Sequence, residues 1–366
     1  MRILQVITGM QKAAGTSVFC GEVCNGLVAH GHDVTLAVGD VANSEKFFPT
    51  DSRVEISSIA SIVGYAKKFD VVHIHGIWSP ILHRVVVWAA KSKMPIVWSP
   101  HGMLAPWAMR HKWWKKWLPW HLYQKRDLKL AKMLHATSQQ ELGWIRGLGF
   151  TQPITIAPLG THLPSMKPGV AKREKVLLFV GRIYPVKALD RLIQAFAMVP
   201  LEVRREWRLR LVGPDQAGHQ ECLEAIVKSL ELDGRVGFAG PKFGEALNAE
   251  YDACDCLALV SHTENFGATV VDAMAHGKPV ITSDKTPWQE VPTLGCGWWV
   301  SNEVAKLSVA ICEMMNLSDV KRRQMGECGR KLVKEKYTWD VVVEKMIVGY
   351  GGIKNEDWYC NHTEVQ

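Results

Sequence analysis

The amino-acid sequence predicts an α/β protein with two parallel-sheet domains. Short apolar runs alternate with stretches of helical spacing, the pattern of strand–helix–strand units whose strands lie parallel. The series breaks at a polar, Pro/Gly/Lys-containing linker between Pro164 and Glu174 and restarts at Val176. With 366 residues and 47% apolar content, the chain can fill two domains of ordinary size. They are placed at residues 1–165 and 166–337, followed by a helix over 338–348 and a mostly polar tail over 349–366. Two such halves joined by a linker imply a deep cleft between them.

In the first half, Ile3–Ile7 is a strand that runs into Thr8–Gly15, and a helix follows from about Thr16 to His30. A glycine loop there lets backbone approach a phosphate, although a plain tight turn would look the same. Val34–Val38 and Val71–Ile74 are further strands. His73 and His75 follow the strand's period of two. They could ligate a metal, but no third ligand is spaced nearby, and bonding to neighbouring backbone is the plainer reading. Ile96–Ser99 delivers Pro100, His101 and Gly102 to its carboxyl end, the edge that lines the crevice of an open α/β sheet. There His101 can donate to a sugar hydroxyl or a phosphate; a satisfied structural histidine is the alternative. Leu134–Thr137 is a strand, Ser138–Glu141 has the capping-box pattern, and Ile154–Ala157 closes the half.

Between these elements, Trp107–His121 sets tryptophans among basic residues. From Ala105 to Lys132 eight basic residues face a single acid, Asp127, in a chain whose formal net charge is +8. Indole rings and cations suit a membrane interface with anionic headgroups. Trp113, Trp117 and Trp120 are also spaced as one helical face that core packing would bury, and the mixture could grip nucleic acid by stacking. No nucleic-acid motif accompanies the run. A membrane surface or a lipid-linked acceptor is therefore the expected partner, and nucleic acid is not.

In the second half, the strand Leu177–Val180 leads through Gly181 to Lys187 and a helix, Ala188–Met198, with apolar spacing at Leu189, Leu192, Ile193 and Phe196. Arg182 and Lys187 share this loop, and two cations beside a helix N-terminus repel unless an anion neutralises them. A guanidinium fork and a mobile ammonium suit a diphosphate; two ordinary surface cations are the alternative. Leu209–Val212 and Val236–Ala239 continue the series. Cys256–Asp284 (CLALVSHTENFGATVVDAMAHGKPVITSD) is a complete unit: strand Cys256–Val260, a helix from about Phe266–Gly267, a stop at Gly277-Lys278-Pro279, and strand Pro279–Thr282. Its turn puts Glu264, Asn265 and Gly267 at a helix N-terminus, where backbone N–H groups favour an anion and Glu264 can accept from hydroxyls. Asp272 follows Glu264 by eight residues, roughly two helical turns, so both acids can lie on one side of the helix. Solvated helix-start charges are the bland reading of such a pair. Asp272 argues against it, because it interrupts an apolar run and must point toward a cleft or an edge. Helices over Val304–Met315, Asp319–Lys336 and Thr338–Val348 end the fold.

Gly181-Arg182 with Lys187, then Glu264-Asn265-Phe266-Gly267 with an acid at 272, resemble the donor site of retaining glycosyltransferases of family 4. The loop to Gly15, His101-Gly102, His135–Ser138 and Pro158-Leu159-Gly160 match as well, so the resemblance covers residues 1–348. It implies the GT-B fold: two Rossmann-like domains facing a cleft, with the C-terminal helix crossing back to the first. It also implies a hexosyltransferase-type enzyme that takes a UDP- or GDP-sugar, needs no metal or other cofactor, and serves a glycan or lipid-linked acceptor in bacterial cell-surface polysaccharide synthesis. By position, Arg182 and Lys187 would hold the diphosphate, Glu264 the sugar hydroxyls, and the backbone at Asn265, Phe266 and Gly267 the sugar and phosphate. His101 would face the reacting sugar, and Gly15 would admit the diphosphate. The family usually has glutamate where this chain has Asp272, assigned to the ribose; the shorter side chain implies a contact that is weaker, water-bridged or shifted.

A GT-B nucleotide-sugar epimerase would share the fold and donor. A non-catalytic membrane- or nucleic-acid-binding protein would leave Arg182, Lys187 and Glu264 without purpose. A dehydrogenase is disfavoured, because no GxGxxG follows either domain's first strand. No run of eighteen apolar residues is present, and MRILQVITG enters a strand directly, unlike a secretion signal. Nine cysteines are scattered without paired CxxC spacing, the usage of reduced thiols in a cytoplasmic protein.

Overall fold

Among the described residues, thirteen parallel strands build two sheets. The computed structural model describes residues 1–11, 14–44, 49–63, 68–165 and 174–353. Most of the linker expected between Pro164 and Glu174, and the tail beyond residue 353 with Cys360, lie outside the described residues. The chain divides into one unit made of Met1–Gly160 with the chain from Trp339 on, and a second of Thr161–Thr338.

The first unit holds β1 (Arg2–Ile7), β2 (Asp33–Val38), β3 (Glu55–Ser58), β4 (Val71–His75), β5 (Ile96–Ser99), β6 (Met133–Ala136) and β7 (Ile154–Ile156). Their order is β3-β2-β1-β4-β5-β6-β7. All pairs are parallel, so helices cover both faces and the strands read as continuous apolar runs. In register, Ile7 stands beside His75, and His75 beside Ser99, which aligns the carboxyl ends of β1, β4 and β5. The edge strand β3 escapes a hydrophobicity reading because its sequence is EISS; Thr35 ties it down by donating to Glu55 at 3.1 Å.

The second unit holds β8 (Lys175–Val180), β9 (Trp207–Val212), β10 (Val236–Phe238), β11 (Cys256–Leu259), β12 (Val280–Ser283) and β13 (Gly297–Val300), in the order β10-β9-β8-β11-β12-β13. The order turns around between β8 and β11, so the loops leaving these two strands are neighbours. Each unit thus has the doubly wound, Rossmann-like architecture, and the α/β class read from the sequence is the one observed.

The last helix corrects the expected chain end. It runs over Trp339–Gly352 and belongs to the first unit, with Gly349 and Tyr350 buried inside it. Gly349 does not stop the helix; a Cβ there would lie 2.6 Å from Thr155 Oγ1, so the residue is small to let the helix settle on β7. Gly26 does the same on the helix Gly15–Ala29, where a Cβ would come within 2.4 Å of Val343.

Close backbone approach also governs the second sheet. A Cβ on Gly213 would lie 1.8 Å from the carbonyl oxygen of Gly181, and Gly213 has φ +152°. Replacing Gly213 with alanine is expected to lower unfolding free energy by about 3 kcal/mol or more, read as a drop in urea midpoint. Gly143, exposed in the helix Gln139–Gly147 with nothing within 4 Å, is the control; Gly143→Ala should stabilise by up to about 1 kcal/mol.

Candidate functional site

After β8, Arg182 lies exposed and donates to Gln216 Oε1 at 3.0 Å. A short turn, Pro185–Lys187, follows, and Ala188 in the left-handed region (φ 53°) starts the helix Leu189–Met198. The loop is pinned from both sides. Ile183 N donates to Pro214 O, Gln216 N donates to Ile183 O, and His262 N from the loop after β11 donates to Val186 O at 2.8 Å.

This pinning brings the two charged motifs into contact. Lys187 Nζ donates to Glu264 Oε2 at 2.6 Å, and Ser261 Oγ donates to the same oxygen at 3.1 Å. The side chains of Lys187 and Glu264 are only 14% and 17% exposed, so the pair is shielded enough for its charges to matter. The two cations expected to repel each other are therefore handled separately: Lys187 meets a carboxylate, Arg182 a neutral amide. The turn that holds Glu264 is tied to its neighbours. Trp288 Nε1 donates to Phe266 O at 2.6 Å, and Gly267 has φ +82° with Leu259 2.7 Å from where its Cβ would be. Only glycine fits there, and it opens the helix Ala268–Ala275.

That helix start corrects one expectation. Glu264 lies in the loop rather than on the helix, so it and Asp272 are not two turns of one helix apart. Asp272 faces Thr161 instead, whose Oγ1 donates to Oδ1 at 2.7 Å. Burial pushes the Asp272 carboxyl up to about 6, against the lowering effect of the Thr161 bond.

In the first unit, His101 lies in the turn two residues after β5 with φ +52°, a strained conformation for a residue with a side chain. Its Nε2 bonds His75 Nδ1 at 2.9 Å. Phe19, one turn into the helix that Gly15 opens, packs edge-on against His101 at 5.3 Å. His73 and His75 do not bond to backbone as expected. They bond to the side chains of Tyr350, Ser99, His101 and Gln5. Burial holds His73, His75 and His101 well below the usual imidazole range and His135 at about 4, so all four rings are neutral near pH 7.

The sequence reading missed Ser261, Gln216, Thr161 and Trp288, and it missed Gln5, Ser99 and Tyr350 as partners. The last group left a signal: Gln5, His73, His75, Ser99 and His135 are polar residues inside otherwise apolar strands, and buried polar groups need partners.

The basic tryptophan segment forms helices over Pro106–Arg110 and Trp113–Pro119, then a π-helical turn over Trp120–Gln124. Trp113, Trp114 and Trp117 are 62%, 62% and 56% exposed, with Leu118 and Leu122 also exposed. Of the face expected to pack, only Trp120 sits against the core. No helix among the described residues is long and apolar enough to cross a membrane.

Comparison with known proteins matches each half. Residues 13–163 match the family model for glycosyltransferase family 4, and residues 165–332 that for glycosyl transferases group 1. A D-inositol 3-phosphate glycosyltransferase of Kineococcus radiotolerans is 36% identical over 147 residues, 36% of this chain and 34% of that protein. The chain thus spans about a third of the length of that curated relative. Among solved structures, sucrose-phosphate synthase from Thermosynechococcus elongatus superposes with a TM-score of 0.75 at 19% identity, covering 97% of this chain and 99% of that one. Anabaena Alr3699/HepE in complex with UDP-glucose does so with a TM-score of 0.74 at 17% identity, covering 96% and 100%. At these identities the likeness is one of fold.

The raised Asp272 carboxyl has a definite sign. The folded state binds this proton more tightly than the unfolded chain, so its contribution favours folding below about pH 4 and is lost as pH rises to about 6. Stability of wild type relative to Asp272→Asn should therefore fall between about pH 4 and pH 6 and stay level above it. Parallel urea titrations check this; a constant difference across that range would refute the assigned burial.

Proposed function

Because this chain belongs to the glycosyltransferases of group 1 and family 4, we propose that it moves a hexosyl group from a nucleotide-sugar, a UDP- or GDP-sugar, to an acceptor hydroxyl. The observation that carries this reading is the Lys187–Glu264 contact at 2.6 Å beside a helix N-terminus. A nucleotide-sugar presents a diphosphate and a ring of hydroxyls one bond apart, and this contact sets a phosphate-binding cation next to a hydroxyl-binding carboxylate. Arg182, whose described partner is a neutral amide, adds a second cation at the same strand ends. The glycine at 267 lets backbone N–H groups face the phosphate or sugar.

In the proposed reaction the bond from the anomeric carbon to the diphosphate oxygen breaks, and its electron pair stays on the departing diphosphate. Arg182 and Lys187 meet that developing charge, so no metal is called on for it. The acceptor oxygen bonds the anomeric carbon on the face the diphosphate leaves, and its proton passes to the released phosphate oxygen. Configuration is retained without a carboxylate nucleophile. Glu264 orients the hydroxyls, Asp272 with Thr161 meets the ribose, and His101 and Gly15 serve the sugar and diphosphate.

The acceptor we favour is a lipid-linked glycan of bacterial surface polysaccharide synthesis, reached from the inner face of the membrane. The exposed Trp113, Trp114 and Trp117 among cations support it, since burying them in a headgroup layer removes their indoles from water.

Lys187→Ala and Glu264→Ala should each lower transfer by about 100-fold or more while circular dichroism stays native. Excess chelator should leave the wild-type rate unchanged. Normal turnover in either variant would sink the site assignment, and isomerisation of donor without acceptor would reassign the enzyme as an epimerase. A separate measurement tests the surface. Wild type should sediment with anionic vesicles at low salt and dissociate as salt rises, whereas a Trp113→Ser, Trp114→Ser, Lys112→Glu, Lys115→Glu variant should not bind. Lys116 is spared because its ammonium donates to the carbonyls of Ala108 and His111 and holds the segment's shape.

A further inference from the structure

Seven side chains of the first unit form one unbroken hydrogen-bond chain, and its direction can be worked out. His135 Nε2 lies 2.7 Å from the carbonyl oxygen of Ala157, which can only accept, so His135 carries its proton on Nε2. A neutral ring then has a bare Nδ1, which accepts from Ser99 Oγ at 2.6 Å. With its one proton committed, Ser99 accepts from His73 Nε2, also at 2.6 Å. His73 Nδ1 is bare and accepts from Tyr350 at 2.6 Å; Tyr350 oxygen accepts from Gln5 Nε2 at 3.0 Å. The Gln5 amide is thereby oriented, and its Oε1 accepts from His75 Nε2 at 2.7 Å. His75 Nδ1 is bare in turn and accepts from His101 Nε2 at 2.9 Å. No step leaves a choice while the rings are neutral, and burial of all four keeps them so.

We propose that this chain, anchored on the Ala157 carbonyl, fixes His101 as its Nε2–H tautomer and so offers Nδ1 as a lone-pair acceptor for a substrate hydroxyl. Tyr350, Gln5 and Ser99 are positioning residues that act through His101. The proposal rests on the reading that His101 faces the sugar. It narrows that role: His101 accepts rather than donates. With Nδ1 protonated instead, the ring would donate to the hydroxyl oxygen and could not accept its proton.

Long-range 1H–15N correlation of the histidine rings tests this in the full-length protein. His101, assigned with His101→Gln, should show a pyridine-like Nδ1 and a pyrrole-like Nε2 as one species. Cutting the chain removes the anchor, so Tyr350→Phe and Ser99→Ala should each turn His101 into a tautomer mixture, with the Nδ1 resonance shifting toward the pyrrole-like range. Two cuts at separate points keep the test usable if one variant does not fold. Adding UDP-glucose or GDP-mannose, whichever raises the wild-type melting temperature, should displace the Nδ1 resonance in wild type. A protonated Nδ1 in wild type, or an unchanged single tautomer in both cut variants, would overturn the proposal. So would an unmoved Nδ1 in protein saturated with donor. The underlying reading fails separately, by full transfer activity in His101→Ala, which leaves the tautomer result standing.

Discussion

A parallel sheet covered on both faces leaves its strands no solvent, and this constraint shapes both units. A side chain in the middle of such a strand is buried, so it must be apolar or find a partner inside the protein. The second unit takes the first course. The segments LLFV ending β8 and CLAL forming β11 carry no charge, and the chemistry is displaced to the loops at their carboxyl ends. The first unit takes the second course. Gln5, His73, His75, Ser99 and His135 sit inside strands, and all are bonded to one another, to Tyr350 or to the Ala157 carbonyl.

The two solutions differ in what they make precise. Loops at a switch point can carry charge without stranding it, but they must be held still, and here backbone bonds between neighbouring loops do that. Val186 accepts from His262, and Ile183 pairs with Asp215, so Lys187 and Glu264 are placed by main chain rather than by long side chains alone. The buried chain in the first unit fixes proton positions instead. Neutral imidazoles are ambiguous donors, and one acceptor-only carbonyl at the end of the chain removes the ambiguity for every ring above it.

The strands and their carboxyl-end motifs were legible because both rest on local pattern. Apolar runs bounded by glycine and proline mark strands, and Arg182, Lys187 and Glu264 follow them at short, readable distances. What stayed hidden was set by contacts distant in sequence. Thr161 meets Asp272 across 111 positions, and Tyr350 meets His73 across 277. Glycine misled in one place: Gly349 looks like a helix stop, yet its smallness answers to Thr155 on a neighbouring strand. Helical spacing misled in another, since Glu264 and Asp272 fit a helix period that Gly267 interrupts. The tryptophan segment was ambiguous for a physical reason. An amphipathic stripe reads the same whether a core or a headgroup layer covers it, and the exposure of Trp113, Trp114 and Trp117 sets core packing aside for those three.

The Lys187–Glu264 pair bears on how such a site can bind two chemically different groups at once. An ammonium has three donors and a carboxylate about four acceptor positions. Their mutual bond and the one from Ser261 use a single carboxylate oxygen, Oε2. Lys187 keeps donors for phosphate oxygens, and Glu264 keeps Oε1 for hydroxyls. The contact therefore places each group for the other's neighbour rather than cancelling it. A diphosphate arriving beside Lys187 would draw its ammonium toward phosphate and loosen Oε2, strengthening the carboxylate's grip on sugar hydroxyls. Binding of the two parts of a nucleotide-sugar would then be coupled through one ion pair, and a nucleoside diphosphate lacking the sugar would leave half of that coupling unused.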